Sequence, residues 1–484
     1  PGTIVGQTAV ERRGLQAARA EEGAQDTPPP LLEITDEIAQ AAALVAEADA
    51  AAAAAGNSRR VTRRQAPTGT YWMQNIARKG IVPWGDNSTY AVFRNVRDYG
   101  ATGNGVTDDT AAIKRAMNDG KRCGEKCNGS TTKNAIVYFP PGTYLISTTI
   151  PLPFGTQVIG DANNRPLLLA APGFVGLGVL STDEYTGGGT GAGPRRPAIR
   201  NIFIDVRGTA PDKNIACLHY QVAQATSLQN VELIAGPTQT GMFAENGSGG
   251  HISDVTFTGG AFGIWGGIQQ FTAQRLRFNG CTIGVQVIWD WGWVWKSIAM
   301  TNVGTGFKLV PEGGGSSGNV GSALFLDSSF TNVETVVQIT PPSSTPATGT
   351  TGLVLENVAL SGVTKAAVAD TSGAVLLAGG TSRIEHWALG PVYEGSVDAR
   401  SFSAGGKVGN YRRPLTLTND NGAYYERPKP QYESASVDEF VHIRDFGATG
   451  DGTTDDTASF QQALYASQGK ILFVDAGSYL LTST

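Results

Sequence analysis

Residues 96–110 read Val-Arg-Asp-Tyr-Gly-Ala-Thr-Gly-Asn-Gly-Val-Thr-Asp-Asp-Thr, and residues 443–457 read Ile-Arg-Asp-Phe-Gly-Ala-Thr-Gly-Asp-Gly-Thr-Thr-Asp-Asp-Thr. The two copies stand 347 residues apart, Arg97 against Arg444. Each leads into a helical stretch and then a strand-turn-strand, Ile136 to Thr149 and Ile471 to Thr484, at an offset of 335, so the first copy carries 12 extra residues. A repeat on this scale is a duplicated domain, not a short structural period. One turn of a stacked fold cannot bury its own apolar face. Residues 438–484 are therefore expected to continue into further coils, to pair with a separate fragment, or to pack on the first domain.

The paired carboxylates Asp108-Asp109 invite an acid–base reading. The same pair recurs as Asp455-Asp456, ahead of the second helical stretch. Asp at a helix N-terminus accepts orphan N–H groups and meets the dipole. A fold device used twice is the better account, with Thr107 or Asp108 capping a helix over Thr110 to Asn118.

Between the copies, short apolar-x-apolar cores begin at Ile202, Val231, Val255, Leu276, Ile298, Ser328 and Val358, spaced 29, 24, 21, 22, 30 and 30 residues apart. Asn or Asp recurs beside them, at Asn201, Asn230, Asp254, Asn302, Asp327 and Asn357. Strands at this spacing with no helical period between them fit stacked coils, with Asn laddering at the turns. The expected fold is all-β: a right-handed parallel β-helix, the first of a tandem pair, its open N-terminal end plugged by the amphipathic helix 110–118. An antiparallel sandwich is the alternative, but Asn-Gly hairpin signals are few. Expected boundaries are 1–69 for an N-terminal extended segment and an Ala-rich helix (Ile38 to Ala55, capped at Thr35, stopped at Gly56), 70–386 for the first β-helix, 387–437 for a Pro/Arg-rich connector, and 438–484 for the start of a second β-helix.

At 484 residues more than one unit is expected. Charged residues are 16%, Gly numbers 63 and net charge is −5 with no basic run, which argues against nucleic acid and mildly for a neutral over an anionic polysaccharide. The chain opens without a charged and apolar leader and carries no apolar run of ~18 residues, so a soluble, already processed chain without a membrane role is expected. Sequons at Asn87, Asn128 and Asn246 are compatible with secretion and glycosylation. Cys123 and Cys127, inside the 12-residue insertion, suggest a loop staple. No second ligand pair stands near them, so neither a metal nor a cofactor is expected. Cys217 and Cys281 either pair or stay buried and free. The dibasic pairs Arg59-Arg60 and Arg63-Arg64 read as a solvated linker before they read as processing sites.

Unusual side chains concentrate in residues 217–295. Seven residues before successive cores lie Gln224, Ser248, Gln269 and Trp291. Equivalent positions on successive coils stack about 4.8 Å apart, building a column of neutral polar groups that ends in an indole. Such a column suits a neutral sugar, whose hydroxyls want amide partners and whose ring face wants an aromatic. A purely internal polar ladder with Trp as packing is the plainer alternative. Facing is open by one residue, so Gln270 or Gln221 can replace its neighbour. Glu245 and Asp290 are the acids of this stretch, with no partner at glycosidase separation evident. His219, His251, His386 and His442 are scattered and read as structural.

The doubled motif resembles the N-terminal segment of pectate-lyase-superfamily β-helices. The set V-A-Q-A-T-S-L-Q-N (222–230), E-N-G-S-G-G (245–250), Q-Q-F-T (269–272), W-D-W-G-W (289–293) and E-R-P-K-P-Q-Y-E (426–433) resembles the fungal exo-β-1,3-glucanases of glycoside hydrolase family 55, over roughly residues 70–484. The resemblance implies two β-helices side by side in one secreted polypeptide with the active site between them; a monomer is expected. It implies release of glucose from laminarin-type β-1,3-glucans with inversion and without a metal. The general acid would be a Glu of the second β-helix, beyond Thr484. Gln221, Gln224, Ser248 and Gln270 would be candidates to hold the attacking water, with any proton passed to a remote carboxylate. The alternatives are a non-catalytic glycan-binding or structural β-helix and a pectin-acting enzyme. Against the latter, the Asn-Thr-Asp and Gly-His-Gly sets of polygalacturonases and the acidic cluster of pectate lyases are missing.

Overall fold

The structure is a computed structural model that describes residues 70–82, 90–124, 127, 129–183, 197–222, 225–245, 247–311, 320–342, 351–393, 395, 400–409 and 412–482. The expected N-terminal helix, all three sequons and Gln224 lie outside the described residues.

Strands pair in parallel with the strand two or three places on, so the chain winds through three stacked faces. Val137, Val158, Ile199, Leu228, Ile252, Ala273, Trp295, Phe325 and Leu355 follow one another up the inside of the first face. The second face lines up Ile202, Val231 and Val255, and its register carries on through Leu276, Ile298, Ser328 and Val358. The sequence spacing thus gives the coil length, because each core residue sits at the same place on its coil. The third face stacks Leu180, Leu218, Met242, Ile264, Val285, Phe307, Val337 and Val368. All of these side chains are buried, and all but Ser328 belong to one continuous apolar core. The architecture is a parallel β-helix.

The corner between the first and second faces forces a left-handed backbone. Asn201, Asn230, Asp254, Arg275, Ser297, Asp327 and Asn357 all have φ between 50° and 61°. Asn and Asp tolerate this conformation best, which is why they recur in the sequence. Their side chains ladder: the Asn230 amide donates to Asn201 Oδ1 at 2.8 Å, and Arg275 grips Asp254 with two bonds of 2.7 and 2.9 Å. Asn302 belongs to a different corner, between the second and third faces, where Asn332 donates to it at 3.2 Å. Ser297 takes the ladder position expected of it.

The helix Thr110–Asn118 plugs the N-terminal end with Ile113, Ala116 and Met117. Its carboxylates divide the work differently from the expected cap. Asp108 accepts from Thr110 N–H (3.0 Å) and the Ser147 hydroxyl (2.6 Å). Asp109, buried, turns back to accept from Thr102 N–H (2.6 Å), its hydroxyl (3.1 Å) and Gly103 N–H (3.0 Å). In the second copy Asp456 accepts from Thr449 and Gly450 at 2.7, 3.2 and 3.1 Å. The motif is a loop clasp at both sites.

The strand Val375–Tyr393 runs antiparallel to Gly352–Asp370, and Arg400–Lys407 runs antiparallel to it in turn. The expected boundary at 386 therefore falls inside a strand, and sheet continues to Lys407. Residues 413–431 then retrace the left-handed ladder from its far end. Arg413 binds Asp327 and Glu356; Glu426 accepts from Ser297 (2.8 Å), Lys296 (3.1 Å) and Arg275 (3.3 Å); Asn201 donates to the Gln431 side chain at 3.1 Å. This return brings residues 440–482 beside the first coils. Phe440 packs on Trp72 with centroids 4.4 Å apart, Lys79 pairs with Asp445, and Ile81 N–H donates to Ala476 O at 2.7 Å. Leu464, Val474 and Leu481 of this second copy are exposed, whereas their counterparts Met117, Phe139 and Ile146 are buried by the coils that follow them. Among the described residues no helix is long and apolar enough to cross a membrane.

Candidate functional site

The site lies at the third corner, where the chain passes from third face to first. Three connections there are long: sixteen residues between Ser181 and Ala198, twelve between Leu309 and Ser322, twelve between Ile339 and Gly352. Three central coils turn tightly, with four residues between Glu245 and Gly250, two between Gly267 and Gln270, and two between Trp289 and Gly292. The short turns make a notch in the corner.

Glycines make those turns. A Cβ on Gly247 would lie 2.5 Å from Val222 O, one on Gly249 2.3 Å from Gln270 O, and one on Gly250 2.3 Å from Thr226 Oγ1. Successive coils therefore pack closely at these glycines, against the backbone of Val222 and Gln270 and the side chain of Thr226. The result is an open groove of about 440 Å³ lined by Ser248, Gln270, Thr272 and Val294 over a floor of Gly249, Gly250 and Gly292.

The corner register holds. Extended back from the strand pairs Gly250–Phe271 and Gln270–Gly292, it sets Ser248, Gln269 and Trp291 at equivalent positions on successive coils. Trp291 is 63% exposed. Gln270 faces outward into the groove while Gln269 is half-buried in the turn. Gln221 stands apart, on the third face at the level of Glu245, and its buried Oε1 has no hydrogen-bond partner. Thr272 and Val294 escaped the sequence reading, although the alternation Gln270, Thr272, Gln274 pointed outward with period two. In the W-D-W-G-W-V-W run, Trp293 and Trp295 point inward and stack 4.7 Å apart in the core.

The acids differ in state. Asp290, at 4% exposure between the half-buried Trp289 and the exposed Trp291, accepts from Gly321 N–H at 2.6 Å. Burial lifts its pKa to about 7 against the lowering by the Gly321 and Ser322 N–H groups. Glu245 is raised by burial and then by the charge of Asp183. His251, 3.2 Å from the Gln274 amide, is lowered by burial and by Arg275. His219 is buried against Ser181 (2.9 Å), and His442 against Asp475 (3.0 Å). Cys123 and Cys127 form a disulfide, Cα–Cα 5.4 Å; Cys217 and Cys281 are buried free thiols. A cavity of about 510 Å³ near Glu356, Arg383 and Arg413 lies beside the returning chain; its Arg413 is already matched by Asp327 and Glu356, and its Lys407 by Glu385.

A parallel β-helix with a helix-plugged end and a side notch belongs to the pectate-lyase-like class. The family described as rhamnogalacturonase A/epimerase, pectate lyase-like, matches residues 93–308 and 440–484, the second segment beginning with the second copy, and the chain belongs to that family. A glucan 1,3-beta-glucosidase of Cochliobolus carbonum is 38% identical over 426 residues, covering 86% of this chain and 54% of that protein. A probable glucan endo-1,3-beta-glucosidase of Arthroderma benhamiae is 35% identical over 521 residues, covering 86% and 59%. The non-secreted LysM effector LysM19 of Penicillium expansum is 37% identical over 439 residues, covering 87% and 34%. The chain thus spans about half the length of the two glucosidase relatives and a third of the effector.

Proposed function

We propose that this chain forms the first half of a β-1,3-glucan hydrolase and supplies one wall of its cleft. The observation that carries the reading is the notch: the hydroxyls of Ser248 and Thr272 and the amide of Gln270 line it beside the exposed indole of Trp291, and no Arg or Lys is among its described lining residues. Neutral hydrogen-bonding groups with an aromatic suit a neutral pyranose; a uronate would find no cationic partner among the described lining residues. The printed names of the two glucosidase relatives support the same substrate.

Inverting hydrolysis needs an acid on the leaving oxygen and a water held on the opposite face of the sugar. Ser248, Gln269, Gln270 and Gln224 are neutral at every working pH, so their part is to hold and orient that water. The acid belongs to a wall these residues do not supply. The exposed Leu464, Val474 and Leu481 support further coils of a second β-helix in that place. Exo action with release of glucose, secretion, glycosylation at Asn87, Asn128 and Asn246, and a monomeric state complete the proposal.

Anomer-resolved NMR of laminarin digested by the complete protein tests it. Early α-glucose is expected. A ladder of oligosaccharides would make the enzyme endo-acting, and cleavage of polygalacturonate instead of laminarin would overturn the reading. Ser248→Ala or Gln270→Ala should lower kcat about 10²-fold, the cost of one well-placed donor, with the fold intact; unchanged kinetics in both would leave the column structural.

A further inference from the structure

The outer surface of the third face carries aromatic groups that the groove does not use. Phe243 and Trp265 stand on successive coils with centroids 4.8 Å apart, and His219 stacks on Phe243 at 5.2 Å. Two residues further along the same strands runs a second column: Gln221, Glu245, Gly267 and Trp289.

The ladder is broken to build that column. Gly266 pairs with Val287, but Gly267 pairs with Trp289, leaving Ile288 as the extra residue of a bulge. A bulge gives up ladder hydrogen bonding and re-aims a side chain. Here it sets the indole over Gly267, where a Cβ would fall 2.1 Å from Trp289 Cδ1 and 2.3 Å from its Nε1. The indole occupies space a side chain would otherwise take, one coil above Glu245. Glu245 is half-buried with its carboxylate on the same surface, and Gln221, one coil below, keeps an unpartnered acceptor.

An indole, a carboxylate and an amide on adjacent coils are the chemistry of pyranose recognition: the C–H face of the ring stacks on the indole and neighbouring hydroxyls donate to the carboxylate. No Arg or Lys stands on either column between Ser181 and Gln286 or between Asp183 and Trp289, while Asp183 and Glu245 do. An anionic sugar is therefore disfavoured. Trp291, exposed at the corner, joins this surface to the groove. We propose that Trp289, Glu245 and Gln221 form an additional glucosyl subsite on the third face, which holds a unit of the glucan beyond those lying in the groove. The proposal rests on the glucan reading above.

The test compares KM for laminaribiose and laminarihexaose in the complete protein. In Trp289→Ala and Gly267→Ala the ratio of KM for the hexaose to KM for the biose should rise about tenfold, the scale of one lost aromatic stacking contact. Trp289→Phe, which keeps a ring, should recover most of it. Glu245→Gln, which preserves shape, reads the carboxylate independently should the Trp289 variants fail to fold, and should raise the same ratio. An unchanged ratio in variants that melt like the wild type overturns the subsite while leaving the glucan reading standing. A wild-type protein inert on both oligosaccharides would overturn the glucan reading itself.

Discussion

Asp290→Asn should remove one pH-dependent contribution to stability. Asp290 is 4% exposed and its Oδ1 accepts from Gly321 N–H at 2.6 Å. In the unfolded chain it gives up its proton near 3.8; in the folded chain burial holds the proton to about 7. Between those values the folded state carries a proton that the unfolded state has lost, so stability falls as pH rises from about 4 to about 7 and levels off above. A window about three pH units wide at ~1.4 kcal/mol per unit is a loss of about 4 kcal/mol. The Asn side chain cannot ionise and still offers an oxygen to Gly321. The two proteins should therefore unfold alike at pH 4, and the variant should be about 4 kcal/mol the more stable at pH 8. Urea unfolding of both across that range reads the difference, and the carboxylates common to both cancel. A difference that stays flat within about 1 kcal/mol, or that grows towards acid, would refute the assignment of a protonated Asp290 to this corner.

Two further outcomes follow from the clasp and the returning chain. Asp109→Ala leaves the part-buried Thr102 and Gly103 N–H groups without their carboxylate acceptor and should cost about 2–3 kcal/mol, against about 1 for Asp108→Ala at the helix end; equal shifts in the denaturation midpoint would show that the pair does not divide its work as described. Glu426→Ala removes the shared partner of Arg275, Lys296 and Ser297 and should weaken the strap locally by about 1–2 kcal/mol, seen as faster amide exchange over residues 424–431, with unchanged exchange counting against it.

Much of the coil register was legible because one constraint repeats. Seven coils put a left-handed residue at the first corner and six of them an apolar one directly after it, and Asn201-Ile202, Asn230-Val231, Asp254-Val255 and Asn357-Val358 write both. Where the corner is held by a less typical residue the signal fades: Arg275 and Ser297 take the same backbone, and the nearby Asn302 was drawn into a ladder to which it does not belong. Residues 387–407 read as connector because antiparallel strands at a stack's end lack the coil spacing. At the site, the sequence picked out the columns of Gln and Trp but not which face each would join, since alternation reverses with one residue of slip.

The sequence by itself determined the duplication, the coil spacing and the identity of the polar and aromatic groups at the third corner, because these are set by local backbone demands and by burial with a fixed period. Tertiary structure alone decided that the chain retraces its own ladder to lay the second copy beside the first, and that a bulge swings Trp289 over Gly267 while Gln270 turns into the groove. Those outcomes depend on contacts between residues tens to hundreds of positions apart, such as Asn201 with Gln431 and Trp72 with Phe440, whose pairing no local pattern encodes.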